Sequence, residues 1–419
     1  MSIARDFALR ELDGRRLPGW PVHTLKSRGK PEELEGRDRG LAMQITIGVI
    51  KNLLHLQWLM EEFSGRSRKS VEPLVQKILA VGIYQIRFLD RVPASAAVHE
   101  AVEQTKRFGQ KKAGGFVNAV LRKTARGPMP EGPGRHAEPE EYARVMLSHP
   151  GDVYRRLAEM VGAERALLIC EHDNREPPVI VRLIGGELRA EGVEIRPHER
   201  EGMYVVEGAS VSVLAEWARR GVAQVQDPTA AEVVAELGIE KGEAVLDRCC
   251  GLGTKTMQMR EAVGEEGSVV AMDPSEERCE VLERVVKERG MKNVKVVRAG
   301  MLEEGMRFSK ILVDAPCSNS GVLARRAEAR FAQDDETLAS LARLQDRILD
   351  DSARALVGGG RMVYSTCSIW AEENSERVKA FLGRHSDYRM MEEKLILPSL
   401  EADPLKYHDG GYWAVLERR

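Results

Sequence analysis

The stretch AVLDRCCGLGTKT, residues 244–256, runs from a short apolar strand through two closely spaced glycines into residues that can open a helix. Gly251 and Gly253 stand where the backbone has to turn tightly and let a ligand approach. By itself this turn is common to many α/β folds. It is not a Walker A loop, because no Gly-Lys-Ser/Thr follows at the required spacing, so phosphate transfer is disfavoured. The pattern continues downstream through SVVAMD, VKVVRA, KILVDAP and RMVYST, apolar runs separated by amphipathic segments. That alternation predicts an α/β Rossmann-like domain with a mainly parallel, doubly wound sheet and ligands at the carboxyl ends of its strands. Asp273 closes the second strand about 20 residues beyond the glycine turn, where an acid can accept hydrogen bonds from ribose hydroxyls. Capping a helix ahead of Pro274 explains it equally well.

Upstream the pattern is different. Ile45, Val49, Leu53, Leu56 and Met60 recur at helical spacing, and a second such run spans Leu74 to Phe88. Nothing before residue 130 alternates like a strand, so an all-α N-terminal domain is expected over residues 1–126. GPMPEGPGRHAEPEE, residues 127–141, holds four prolines and three glycines and predicts an exposed linker over 127–145. A helical stretch ending near Cys170, followed by VIVRL and MYVV, predicts a small α+β connecting module over 146–221, with the catalytic domain over 222–419.

With 419 residues, several cores are expected. The net charge of −2 gives no global nucleic-acid footprint, so affinity for RNA has to come from local surface. No stretch approaches the roughly 18 apolar residues of a membrane span and the start lacks a signal-peptide core, which predicts a cytoplasmic chain with reduced thiols. The six cysteines, Cys170, Cys249, Cys250, Cys279, Cys317 and Cys367, are too sparse for a disulfide framework. None forms Cys-x-x-Cys, so no metal site is expected. Cys317 in VDAPCSNSG follows the fourth strand of the sheet and Cys367 in VYSTCSIWAEEN follows the fifth. Neighbouring parallel strands would bring both thiols to one site.

DAPCS with a following GVL, and YSTCS with a following EEN, resemble the two signature motifs of RNA 5-methylcytosine methyltransferases. IGVIKNLLHLQWLM, ILAVGIYQIRFLDRVPASAAVHEAVEQTK and GGFVNAVLRK resemble the NusB-like domain of the bacterial RsmB/Sun/Fmu branch. The resemblance covers nearly the whole chain. It implies S-adenosylmethionine as methyl donor and small-subunit rRNA, before assembly buries the target, as substrate. It makes Cys367 the nucleophile, gives Cys317 a part in product release, and sets Asp314 against the cytosine's polar edge and the cofactor. Cofactor binding falls to Cys249, Cys250, Gly251, Leu252, Gly253, Thr254 and Lys255, with Asp273 and Asp314. The chemistry requires such groups: cytosine C5 is a poor nucleophile until a thiolate adds at C6, after which C5 takes the methyl group, loses its proton and expels the thiol. A thiol of ordinary pKa about 8.5 needs a favourable field to ionise at neutral pH. The sequence does not show its source.

The chain departs from the family at three places. The usual CAAPGGK-like loop reads CCGLGTK, an acid after the third strand is replaced by Gly300 with Glu303 nearby, and an RRHPD-like stretch becomes ARRAEARF over residues 324–331. Arg325, Arg326 and Arg330 remain there for phosphate contact, against the default of a solvated charge run. KRFGQKKAGGFVNAVLRKTAR, residues 106–126, has seven basic and no acidic residues and forms the candidate RNA surface, with ordinary solubilising charge as its alternative. Two rival functions follow: a DNA cytosine-5 methyltransferase with Cys317 as nucleophile, and a non-catalytic RNA-binding assembly factor whose cofactor loop has degenerated.

Overall fold

The computed structural model describes residues 3–22, 34, 36–300 and 305–419. It divides into two compact units, Met1–Asn174 and Arg175–Arg419. In the first unit every regular element among the described residues is helical, as the 3.6-residue periodicity requires. Ile45, Val49, Leu53, Leu56 and Met60 are all 1% exposed or less. Helix Pro73–Phe88 is buried along most of its length, opened by Pro73 at its first position and by the Glu72 carboxylate, which accepts the Val75 amide at 3.0 Å. Lys77 within it is buried against Asp13 at 2.7 Å, a pairing that offsets the desolvation of both charges.

The expected exposed linker is only partly irregular. Pro139 starts helix Pro139–Val145 with Glu140 and Glu141 in its first turn, where their charges favour the helix N-terminus. His55 Nδ1 contacts the Val145 carbonyl at 3.0 Å, and Ser148 Oγ accepts the Leu54 amide at 2.9 Å. Helices Gly151–Val161 and Ala163–Asn174 follow, so the boundary between compact units falls at Asn174 and Arg175.

The second unit opens with a small antiparallel sheet of β1 (Val179–Leu183), β2 (Glu194–Pro197), β3 (Met203–Glu207) and β4 (Ala223–Val225), in the order β2-β3-β1-β4. Helix Val211–Arg219 packs on it through buried Trp217. Next come β5 (Ala244–Asp247), β6 (Ser268–Asp273), β7 (Val294–Arg298), β8 (Phe308–Asp314), β9 (Leu356–Thr366), β10 (Tyr388–Ile396) and β11 (Gly411–Arg418). They form one sheet in the order β10-β11-β9-β8-β5-β6-β7. The five strands read from sequence are its parallel part. β11 and β10 extend it antiparallel beyond β9.

Both faces of this sheet are covered. Leu246, Ile311, Val313, Met362 and Tyr364 pack with Leu349 and Phe381 on one side; Val245, Val269, Leu312, Val363 and Trp413 pack with Val234 and Met259 on the other. Burial on two faces explains why these strands read as continuous apolar runs. The antiparallel return has a further effect. Because Tyr412 pairs with Thr366, the loop before β11 lies at the carboxyl end of β9, and Gly410 donates its amide to the Gly321 carbonyl at 2.7 Å. Gly321 in turn donates to the Cys367 carbonyl at 2.9 Å.

A Cβ on Gly321 would lie 2.6 Å from the Gly410 carbonyl carbon, inside rigid backbone, whereas one on Gly358 would meet nothing closer than 3.9 Å. Gly321→Ala is therefore expected to lower the melting temperature by several degrees, a cost of about 1–3 kcal/mol for overpacking, while Gly358→Ala stays close to the parent. Thermal unfolding followed by circular dichroism checks both; equal melting temperatures for the two variants would contradict the close approach.

Candidate active site

The parallel register pairs Asp314 at the end of β8 with Ser365 near the end of β9. The two loops that leave these strands run side by side, and Cys317 Sγ lies 3.1 Å from Cys367 Sγ. Cys367 Sγ also contacts Asn319 Oδ1 at 3.2 Å. Asn319 takes up φ +62°, a left-handed conformation that asparagine tolerates, and its side-chain amide donates to the Cys317 carbonyl at 3.0 Å. The contact with Cys367, together with burial, pushes the Cys317 thiol well above the ordinary range.

A buried polar web fixes the loops to each other. Ser320 Oγ and Ser368 Oγ lie 2.9 Å apart, and Ser318 Oγ lies 3.3 Å from Ser368 Oγ. Ser320 Oγ accepts the Ile369 amide at 2.9 Å, and Thr366 Oγ1 donates to Asn374 Oδ1 at 2.6 Å. Ser318 is further held by Glu373, which is fully buried, through its amide at 2.9 Å and its hydroxyl at 2.5 Å. These serines, Glu373 and Asn374 were quoted within the motifs but not assigned roles from sequence; their signal was polarity beside two cysteines in otherwise apolar surroundings.

The glycine turn lies at the ends of β5 and β6. Gly251 has φ +55° with open space where a Cβ would stand. Gly253 has φ +91°, and a Cβ there would lie 2.3 Å from Leu282 Cδ1. Leu252 between them is 64% exposed, and helix Thr254–Val263 begins directly after. Cys250 is buried by the turn and Cys249 is half-buried; burial raises both thiols, Cys249 to about 12. Asp273 accepts the Gly251 amide at 3.0 Å through Oδ2 and the Ser275 amide at 2.8 Å through Oδ1. It ties the turn to β6, while Ser275 caps helix Glu276–Glu288.

Lys255 Nζ reaches Asp314 Oδ2 at 2.6 Å, and Ser365 Oγ donates to Asp314 Oδ1 at 2.8 Å. Burial opposes the Lys255 charge, but Asp314, Cys367 and Asp247 outweigh it and hold the ammonium above the usual lysine range. Asp247, the last residue of β5, is one that sequence reasoning passed over, although an acid directly before the glycine turn was a visible signal. It is fully buried; Thr256 Oγ1 donates to its Oδ2 at 2.6 Å, and its Oδ1 has no hydrogen-bond partner. Burial above all raises its pKa to about 7, with the charge of Asp314 adding to the effect. Open space over Gly251 leaves room for a ligand at the turn, and a cavity of about 180 Å³ is lined by Arg248 and Met272, from the ends of β5 and β6, with Gly300 and Asp351. Glu303 lies outside the described residues.

The arginines after GVL are not alike. Arg325 Nε reaches Asp409 Oδ2 at 2.6 Å, one of its terminal nitrogens lies 3.4 Å from Asp227 Oδ2, and the guanidinium sits over the Tyr407 ring. Arg330 is buried and Arg326 exposed. Arg325, itself exposed, thus braces the loop ahead of Gly410 through Asp409. In the first unit Lys111, Lys112, Arg122, Lys123 and Arg126 are exposed, and Arg122 and Arg126 line a cavity of about 410 Å³ with Ser95, His99 and Asn118. Lys106 instead pairs with Glu103, and Arg107 with Asp6 and Glu100.

Residues 234–403 match the family model "16S rRNA methyltransferase RsmB/F", and residues 8–126 match "NusB family". A "Probable ribosomal RNA small subunit methyltransferase B" of Bacillus subtilis is 30% identical over 380 residues, 87% of this chain and 84% of that protein. A "Ribosomal RNA small subunit methyltransferase B" of Vibrio cholerae is 31% identical over 409 residues, 93% of this chain and 91% of that one. Among solved structures, a methyltransferase homolog protein from Pyrococcus horikoshii superposes with a TM-score of 0.56 at 22% identity, over 68% of this chain and all of that one, a likeness of fold.

Asp247 gives a pH test of the site. Its folded-state pKa lies above the unfolded value of 3.8, so as pH rises the unfolded carboxylate loses its proton first and stability falls between about pH 4 and pH 7. The full effect is of order 4 kcal/mol, about 1.4 kcal/mol for each pKa unit. Asp247→Asn keeps an acceptor for Thr256 and removes the ionisation, so its melting temperature should gain on the parent by at least about 5 °C across that window and level off above it. A difference that is flat with pH would contradict a buried, raised carboxyl.

Proposed function

The chain belongs to the 16S rRNA methyltransferase RsmB/F family and is an S-adenosylmethionine-dependent rRNA methyltransferase, and from that premise we propose that it methylates carbon 5 of a cytosine in small-subunit rRNA through a covalent adduct with Cys367. The observation that carries this reading is the pair of thiols at 3.1 Å, delivered by two adjacent strand ends beside a glycine turn.

In the proposed sequence the Cys367 thiolate adds to C6 of the flipped cytosine, forming the S–C6 bond and moving electron density to C5. S-adenosylmethionine supplies the methyl group that C5 takes up. Loss of the C5 proton restores the ring and breaks the S–C6 bond, with Cys317 assisting release. Lys255, paired with Asp314 at 2.6 Å, places a cation at the same strand edge as Cys367. Asp314, already an acceptor for Lys255 and Ser365, meets the cytosine's amino edge. Gly251, Leu252, Gly253, Thr254 and Asp273 shape the cofactor turn, with Cys249 and Cys250 at its base. Asp247, buried at the base of the turn, is added to that set as the residue that holds Thr256 and shapes the start of the helix behind the glycines. The basic helices of the N-terminal unit position RNA by its phosphates without reading bases.

A DNA-type enzyme would place the nucleophile at Cys317 instead, an assignment that variants of the two cysteines separate. Cys367→Ala is expected to lower methyl transfer at least about a thousandfold. Cys317→Ala should still attack but release slowly, leaving a protein–RNA adduct that survives denaturation and disappears when Cys367 is also replaced. Gel analysis of the three variants with rRNA and S-adenosylmethionine checks the division of roles; an adduct that persists without Cys367 would overturn it.

A further inference from the structure

Two thiols within hydrogen-bonding distance do not both ionise at neutral pH, because the second charge forms against the first. Which of them keeps the proton therefore depends on what surrounds each. Lys255 Nζ is held against Asp314 at 2.6 Å, at the end of the strand paired with the one that leads to Cys367. Cys317 has a different neighbour. Glu373, from the turn Ala371–Glu373 that follows the Cys367 loop, is fully buried, and each of its carboxylate oxygens is engaged. Oε1 accepts the Ser318 amide at 2.9 Å and Gln345 Nε2 at 3.1 Å, and Oε2 accepts the Ser318 hydroxyl at 2.5 Å. Gln345 Nε2 also donates to the Pro316 carbonyl at 2.9 Å, so the backbone is gripped on both sides of Cys317 by one Glu–Gln pair. Tyr364 Oη, three residues before Cys367, donates to the Glu373 carbonyl at 2.6 Å and ties the same turn to β9.

All of these donors to Glu373 are neutral. They stabilise a carboxylate, which only accepts, without cancelling its charge. A buried negative charge one residue from Cys317 disfavours a second negative charge on that thiol. We propose that Glu373 is a positioning residue that keeps the proton on Cys317 and thereby leaves the nucleophilic charge to Cys367. This rests on the assignment of Cys367 as nucleophile given above, and it gives the EEN segment of the motif a chemical task. Among the titratable and charged groups around Cys317 are Cys367, Glu373 and Tyr364, with Arg377 beside Tyr364, and Glu373 is the one that contacts the Ser318 amide next to Cys317 directly. The direction of the Cys317 shift agrees, since the Glu373 charge adds to the effects of Cys367 and of burial.

The test needs neither RNA nor methyl transfer. In the full-length chain carrying Cys367→Ser, alkylation of Cys317 by iodoacetamide is followed by peptide mass spectrometry as a function of pH. Adding Glu373→Gln, which keeps the shape and removes the charge, should lower the half-alkylation pH by about one unit, equivalent to about tenfold more thiolate at a fixed pH. Ser318→Ala removes a contact and leaves the charge, and should not move the half-point. A purely structural role would instead raise alkylation equally at every pH; that outcome, or an unmoved half-point with Glu373→Gln, overturns the proposal. If Glu373→Gln does not fold, Glu373→Asp, which draws the charge back by one methylene, is read by the same shift in the same direction. An unmoved half-point leaves the methyl-transfer reading standing, while loss of the Cys367-dependent adduct would remove that reading and leave this measurement intact.

Discussion

The register between β8 and β9 is the constraint on which the rest of the site depends. Asp314 opposite Ser365 sets the starting points of two loops, and with parallel strands both loops leave the same edge. Cys317 follows three residues after Asp314 and Cys367 two after Ser365, which is how residues 50 apart in sequence come into contact. The Ser318–Ser368–Ser320 web and the Gly321–Cys367 amide bond then remove the remaining freedom of the loops. The antiparallel addition of β11 completes the arrangement by returning Gly410 to Gly321 at backbone distance. A slip of one residue in any of these pairings would turn the side chains to the opposite face.

That edge also gathers like charges. Asp247, Asp273 and Asp314 each end a parallel strand, and Lys255 is the cation that meets Asp314 directly. The chain handles the three acids differently. Asp273 is held by backbone amides with Arg278 at 3.6 Å, Asp314 by an ammonium and a hydroxyl, and Asp247 by one hydroxyl and a backbone amide with no cation, so burial raises it. Glu373 forms a fourth pattern, a carboxylate held by neutral donors beside a thiol. A second buried cluster lies behind the Gly410 loop, where burial raises Asp409 to about 7 and Arg325 and Tyr407 contact it. Differences in partner, more than in residue type, assign the tasks.

Sequence made the parallel sheet and the thiol pair legible because both rest on local signals: continuous apolar runs for strands buried on two faces, and cysteines directly after two of those runs. The all-helical N-terminal unit was legible for a similar reason, since Ile45 to Met60 carry a plain helical period. The helix Pro139–Val145 was hidden because proline reads as a breaker until it is known to occupy the first helical position. Arg325 read as a solvated charge because its partners, Asp227 and Asp409, lie 98 and 84 residues away. Glu373 and Asp247 were hidden in the same way: nothing local marks an acid as fully buried, and their roles come from loops that only the sheet brings together.

The central claim is that this edge transfers a methyl group to cytosine C5. The most direct measurement is incorporation of labelled methyl from S-adenosylmethionine into unmodified small-subunit rRNA, followed by nucleoside analysis of the digested product. The account predicts label in 5-methylcytidine. Label in another nucleoside would contradict the proposed chemistry, and no incorporation together with no cofactor binding by calorimetry would point instead to an RNA-binding assembly factor with a degenerate CCGLGTK loop.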